Sequence, residues 1–167
     1  VLPYRSSGIR TADTVSTFLL RDAGPILWST WGEPWQAAYR DAAWIDVDPR
    51  VEATALHGLR CVKAAFPAIV SMGGRGGRPI GTSDHPRGLA VDFMIPKWSG
   101  TTGNAFGWKV AKWVAANAKQ LHAKYIIWDV KKWNPAGGKG WRPYRHPYGN
   151  TNPTLAHRNH VHVSFNS

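Results

Sequence analysis

From Val51 onward the apolar positions recur at the spacing of one helix face: Val51, Ala55, Leu59, Val62 and Phe66 follow each other at steps of four and three. Asp48 stands where a cap belongs and Pro49 suits a first helical position, so the pattern predicts a helix that opens there and is ended by Pro67. Ala68 to Met72 reads as a short strand entering Gly73-Gly74-Arg75-Gly76-Gly77-Arg78-Pro79, which is too rich in glycine to be regular. Leu89 to Ile95 is apolar enough for a central strand and carries Asp92 on one face. Asn104 is the predicted cap of a second helix, with Phe106, Val110, Val114, Ala118 and Leu121 inward, Trp113 bordering that stripe and Asn117 at its polar edge. Tyr125 to Asp129 and Val161 to Phe165 read as two further strands. Between them, Val130 to Pro153 holds Gly137, Gly138, Gly140 and four prolines and reads as a long loop, of the kind that is functional or disordered. Helix, strand, strand, helix, strand, strand gives an α+β domain over residues 50–167: a small antiparallel sheet with flanking helices.

Residues 1–49 follow a different pattern. Trp28, Trp31, Trp35 and Trp44 crowd a stretch broken by Pro25, Gly32 and Pro34, which predicts a Trp-rich extension of short helical pieces packed on the core. Aromatic anchoring explains such a cluster, and stacking on carbohydrate is the sharper alternative. No internal repeat is visible.

The chain of 167 residues is long enough for a domain with a sizeable core, and 43% hydrophobic against 19% charged residues marks it as globular. No apolar run reaches the roughly 18–20 residues of a membrane span. No basic-then-apolar signal opens the chain, and the start at Val1 suggests a mature protein or a fragment of something longer. The net charge of +11 favours encounter with polyanions. Lys131, Lys132, Lys139, Arg142 and Arg145 crowd one stretch, but no helix carries a continuous basic stripe and no nucleic-acid motif is present. Charge alone supports nucleic-acid binding, so that class is set aside. Cys61 is the single cysteine; it excludes an internal disulfide and falls on an apolar helical face, where it reads as a buried small hydrophobe.

The chemistry lies in two motifs. His85 and Asp92 stand in Ser83-Asp84-His85-Pro86-Arg87-Gly88-Leu89-Ala90-Val91-Asp92, and His162 closes His160-Val161-His162 about seventy residues later. Two imidazoles and a carboxylate on separate elements form a three-ligand set for a catalytic Zn2+ whose fourth position is left to water. Such an ion polarises a carbonyl and brings a water into reach of neutral pH, the requirements of amide hydrolysis. Each residue alone would be read as an ordinary hydrogen-bonded polar group.

At these residues the chain resembles the zinc peptidases of the lysostaphin, D-Ala-D-Ala peptidase and hedgehog superfamily, and most of all the D-Ala-D-Ala carboxypeptidase-like and VanY-like branch that acts on peptidoglycan stem peptides. The resemblance covers roughly residues 50–167. It implies a zinc site on the sheet, with Ser83 supporting the metal loop through hydrogen bonds; Gly88, by its own conformational freedom, lets the chain turn tightly before the strand. The resemblance also implies a wall-lytic peptidase, of phage or bacterial origin, that acts as a monomer outside the cell or in the wall, with peptidoglycan peptide as substrate and acidic wall polymers as further partners. The bond cut stays open among carboxypeptidase, L-Ala-D-Glu endopeptidase and cross-link endopeptidase.

One feature departs from the pattern. Many relatives carry a carboxylate three residues before the last zinc histidine, where this chain has Asn159. The spacing His157, His160, His162 is similar to the penicillin-insensitive murein endopeptidase branch and passes the base role to His160 or His157. The alternative is a catalytically impaired wall-binding module of the same fold. The arginine that grips substrate in this superfamily has Arg75 as its nearest counterpart and Arg78 as the next. Loop length with aromatic and basic content further predicts that Val130 to Pro153 walls the cleft, with Trp133 or Trp141 lining the substrate groove.

Overall fold

The computed structural model describes residues 50–76, 83–138 and 140–167. The Trp-rich segment 1–49, Asp48 and Pro49 within it, and Arg78 lie outside the described residues.

Among the described residues the first helix, α1, spans Ala53–Ala65. All five residues of the expected stripe are buried, from Val51 through Phe66. The helix nevertheless opens later than Asp48-Pro49 predicts. Glu52 is extended, and its amide donates to the Gly88 carbonyl at 3.0 Å. Gly88 sits at φ 72, and a Cβ there would run into the Arg50 carbonyl oxygen. Backbone contact between these two turns therefore takes the residues that would have begun the helix.

The second helix, α2, spans Thr101–Ala116 and opens at an extended Gly100, not at Asn104. Asn104 lies one turn inside, where its Nδ2 donates to Asp129 Oδ2 at 3.0 Å. Val110 and Val114 face inward as expected, joined by Gly103, Gly107 and Ala111. A side chain at Gly107 would overlap the Trp128 ring, so glycine is what lets this helix lie against the sheet. Phe66 meets Phe106 and Trp113 edge-on, at centroid distances of 5.9 and 5.6 Å, tying the two helices together.

Six strands form one antiparallel sheet: β1 (Met72–Gly73), β2 (Ala90–Met94), β3 (Ala123–Trp128), β4 (Lys131–Trp133), β5 (Arg142–Pro143) and β6 (His160–Phe165), in spatial order β1-β2-β6-β3-β4-β5. The described residues thus form an α+β fold, with α1 and α2 packed against the sheet. The strand expected over Ala68 to Met72 shrinks to Met72–Gly73, because the Ile69 amide turns back to the Phe66 carbonyl and Val70 points to solvent.

The long loop expected from Val130 to Pro153 is corrected more sharply: it contributes β4 and β5. Trp128 pairs directly with Lys131, so Asp129 and Val130 alone make the turn, at φ 44 and φ 53. This has the two left-handed residues of a type I′ hairpin turn, without the Asn-Gly or Asp-Gly that normally announces one. The Asp129 and Val130 amides donate to the carbonyls of His157 and Ala156 at 2.7 and 3.0 Å, so tertiary contacts hold what local propensity disfavours.

The pairings fix the two faces. Val91, Phe93, Ile126, Val161, Val163 and Phe165 join the core beneath the helices. On the opposite face, Asp92 pairs with His162, His162 with Ile127, and Ile127 with Lys132, a row running across four strands.

Candidate metal centre

Each member of the His-Asp-His set is delivered by a different element. His85 opens a 3-10 turn over His85–Arg87, whose base is held by the Ser83 hydroxyl accepting the His85 amide at 3.3 Å. Asp92 sits mid-strand on β2 beside His162 on β6. His85 Nε2, Asp92 Oδ1 and His162 Nδ1 converge, with separations of 3.1 Å from His85 to Asp92, 3.2 Å from His85 to His162 and 2.8 Å from His162 to Asp92. These three groups could hold a metal ion. Donor atoms bound to one tetrahedral Zn2+ at 2.0–2.1 Å stand about 3.4 Å apart, so the observed triangle fits one face of that polyhedron with little adjustment.

The second nitrogen of each ring decides which lone pair faces inward. His85 Nδ1 donates its hydrogen to the Gly74 carbonyl, leaving Nε2 for the centre. His162 Nε2 donates to Ser164 Oγ at 3.0 Å, leaving Nδ1 for the centre. Burial works against the Asp92 carboxylate, but His162 and His85, whose inward nitrogens hydrogen-bond it when protonated, overcome that and hold the carboxyl well below its ordinary range; a metal ion would take the place of those inward protons. Both imidazoles are thus turned to offer lone pairs and the carboxyl is ionised, as metal binding requires.

Beneath this set runs a network that the motifs do not announce. Ser164 is fully buried and hydrogen-bonds Asp84, which also takes Lys124 Nζ at 3.1 Å on both carboxylate oxygens. Burial pushes the Asp84 carboxyl up, yet bonds from Lys124, Ser164 and Tyr125 bring it below the usual value. Tyr125 stacks on His162 at 5.5 Å and 22°, and burial raises its phenol to about 12. Lys132 Nζ lies 4.0 Å over that phenol ring, and burial lowers its pKa. Ser164 has one signal in the sequence, since it repeats the His162 face two residues later on the same strand. Lys132 has only the basic content of its stretch, because its strand reads as loop.

The other expected site residues divide. His157 and His160 are brought in: both are buried, with their rings 4.8 Å apart and His157 5.5 Å from the His162 ring. His160 Nδ1 donates to Asn159 Oδ1 at 2.7 Å, and its Nε2 lies 3.5 Å from Asp92 Oδ1. Asn159 completes its own bonding by donating to Thr154 Oγ1 at 3.0 Å. His157 Nδ1 donates to the Leu155 carbonyl at 3.0 Å. Burial, with His162 and His160 beside it, pushes the His157 imidazole down to about 2, so that ring is neutral. Arg75 is exposed and directly follows Gly74, the residue that orients His85.

Trp133 and Trp141 are not brought to the cluster. Trp133 pairs with Ile126, which in turn pairs with Val163, so the register turns its side chain to the helix-covered face. Trp141 meets Trp108 of α2 edge-on at 5.1 Å, and both pack against the core. Their apolar area is used under the helices, on the opposite side of the sheet from the three donors.

The sequence model of a family described as "VldE, C-terminal domain" matches residues 47–157, a span that includes His85 and Asp92 and stops before His162. A protein of Arthroderma benhamiae described as an uncharacterized secreted protein is 32% identical over 109 residues, which cover 52% of this chain and 42% of that one. The chain therefore spans less than half of that relative's length. No solved structure matches.

Proposed function

We propose that this chain, which belongs to the VldE C-terminal domain family, is a secreted zinc-dependent peptidase that hydrolyses a peptide bond in peptidoglycan stem peptides or cross-links. The observation that carries the reading is the convergence of His85 Nε2, Asp92 Oδ1 and His162 Nδ1, each ring locked by a bond from its other nitrogen. That pre-orientation removes the cost of arranging ligands when an ion arrives. The resemblance of the Ser83–Asp92 and His157–His162 strings to peptidoglycan peptidases supplies the substrate class. The description of the Arthroderma benhamiae relative as secreted supports an extracellular setting, and the charge of +11 suits an acidic wall.

A bound Zn2+ supplies Lewis acidity, polarising the scissile carbonyl and making a water nucleophilic near neutral pH. His85, Asp92 and His162 would hold it. The chain's own proton chemistry falls to His160 and His157. With Nδ1–H committed to Asn159, His160 presents Nε2 toward the donor triangle, placed to take a proton and return it to the departing amine. Asn159 in this scheme is a positioning residue: its carboxamide oxygen selects the His160 tautomer and needs no proton of its own. His157, neutral and packed against His160 and His162, is the second candidate for the same transfer.

Mass spectrometry of muropeptides digested by the zinc-loaded protein tests the reading and identifies the bond. The expected result is one set of new stem-peptide termini that His162→Ala abolishes while the domain stays folded. Zinc loading at the three residues without any cleaved muropeptide would refute the activity, and metal analysis finding no zinc would refute the centre.

A further inference from the structure

We propose that Lys132 is a substrate-anchoring residue, a fixed cation that receives a carboxylate of the peptide about two to three residues away from the bond held at the His85–Asp92–His162 set; this rests on the peptidase reading above. The first support is register. His162 pairs with Ile127 and Ile127 with Lys132, so the lysine projects from the same face as the donor triangle, two strands away. Two strand spacings are roughly 10 Å, the length of about three residues of extended peptide.

The second support is how the side chain is held. Lys132 Nζ sits 4.0 Å over the Tyr125 ring, and Tyr125 is itself stacked on His162. Ammonium, phenol and imidazole form one column, so the position of the cation is tied to the position of a metal ligand. Half-burial against an aromatic face strips water from a long side chain and cuts the entropy lost when a ligand fixes it.

The third support is the balance of charge on that side of the sheet. Lys124, which also approaches the Tyr125 ring at 5.9 Å, is paired to Asp84 at 3.1 Å, and Arg158 is paired to Asp129 at 3.5 Å. Among the described residues, no carboxylate lies within ion-pair distance of Lys132 Nζ. Among the described residues the neighbouring anion, Asp84, is already paired, and the Lys132 charge is left for an incoming group. Arg75, the expected anchor, stands in the loop after β1 near the opposite edge of the sheet and is exposed.

The test compares a peptidoglycan stem tetrapeptide with its counterpart in which every carboxylate is amidated. Both are titrated into wild type and Lys132→Met, which keeps the chain length over Tyr125 and removes the charge, and both are assayed for cleavage. A charge-assisted contact in a half-buried setting predicts about tenfold tighter binding and about tenfold lower KM for the acid form in wild type. Lys132→Met should erase that preference chiefly through KM, and Lys132→Arg should restore most of it. Equal binding of acid and amide by wild type, or an unchanged preference in Lys132→Met, overturns the proposal. If neither peptide is cleaved but the acid form still binds better and Lys132→Met abolishes the difference, the anchor stands and the peptidase reading falls.

Discussion

Replacing Ser164 by alanine removes one oxygen atom from under the candidate metal centre, and its effect can be worked out in two separate quantities. The Ser164 hydroxyl is fully buried and accepts the His162 Nε2 hydrogen at 3.0 Å. Taking away that acceptor costs about 1–3 kcal/mol in the metal-free protein, the usual penalty for a buried group that loses its hydrogen-bonding partner. For a domain of this size each kcal/mol is worth roughly 4 °C, so the metal-free variant should melt about 4–12 °C lower. The second quantity is affinity. Partners that orient a metal-binding histidine are typically worth about 10- to 100-fold in metal binding. At a free zinc concentration one hundred times the wild-type Kd, the ion adds about 2.7 kcal/mol to wild-type stability; the weakened variant would gain only about 1.4 to 0.4 kcal/mol. Thermal melts with and without buffered zinc, beside a competition titration against a chelator, read both terms. A purely structural serine would lower the metal-free Tm while leaving the zinc-induced rise intact. That outcome would show that Ser164 does not select the His162 tautomer, and the pre-oriented centre would lose one of its two locks.

His160→Ala should lower kcat on muropeptide by about 10²–10⁴ with zinc still bound, and His157→Ala is measured beside it; if both keep full rate, the proton route is wrong, and if only Asn159→Asp turns over, the chain is a wall-binding module. In the metal-free protein, His157 resists protonation down to about pH 2 whereas the unfolded ring titrates near 6.5. The unfolded chain therefore takes up a proton first, and stability should fall by up to about 1.4 kcal/mol per pH unit as pH drops below about 6.5. His157→Asn, which tolerates the φ of 52 at this position, should flatten that slope in pH-dependent chemical denaturation, and an unchanged slope would disprove the assignment. Val130→Asn should raise stability by about 1 kcal/mol by relieving a β-branched residue at φ 53, with a lower denaturation midpoint as the contrary result.

What is legible in the chain is whatever periodicity or spacing encodes locally. The stripe from Val51 to Phe66 foretells the buried side of α1, and the alternation His160, His162, Ser164 against Val161, Val163, Phe165 foretells a strand with two distinct faces. The three donors are legible because residue type and spacing limit them so strongly. Elsewhere, contacts between distant segments decide. The start of α1 is set by a hydrogen bond from Glu52 to Gly88, and the Asp129-Val130 turn by bonds to residues 156 and 157. No window of sequence around Asp-Val suggests two left-handed residues, so β4 and β5 lie hidden inside an apparent loop. Taking β4 for loop also makes Trp133 look available to substrate, when the pairing with Ile126 turns it to the core.

The position of β6 in the sheet has a consequence in time. It is the strand that β2 and β3 both pair with, and its bond to Asp92 spans 70 residues of chain. Closing so long a loop is slow compared with forming either helix, so the central pairings are expected to form late during folding. Until they do, His85, Asp92 and His162 are three isolated side chains with ordinary, weak affinity for any ion. Capture of a metal ion by this set would then follow folding instead of guiding it, and a chain in transit in extended form carries none of the chemistry with it: the candidate centre comes into being only where the sheet does.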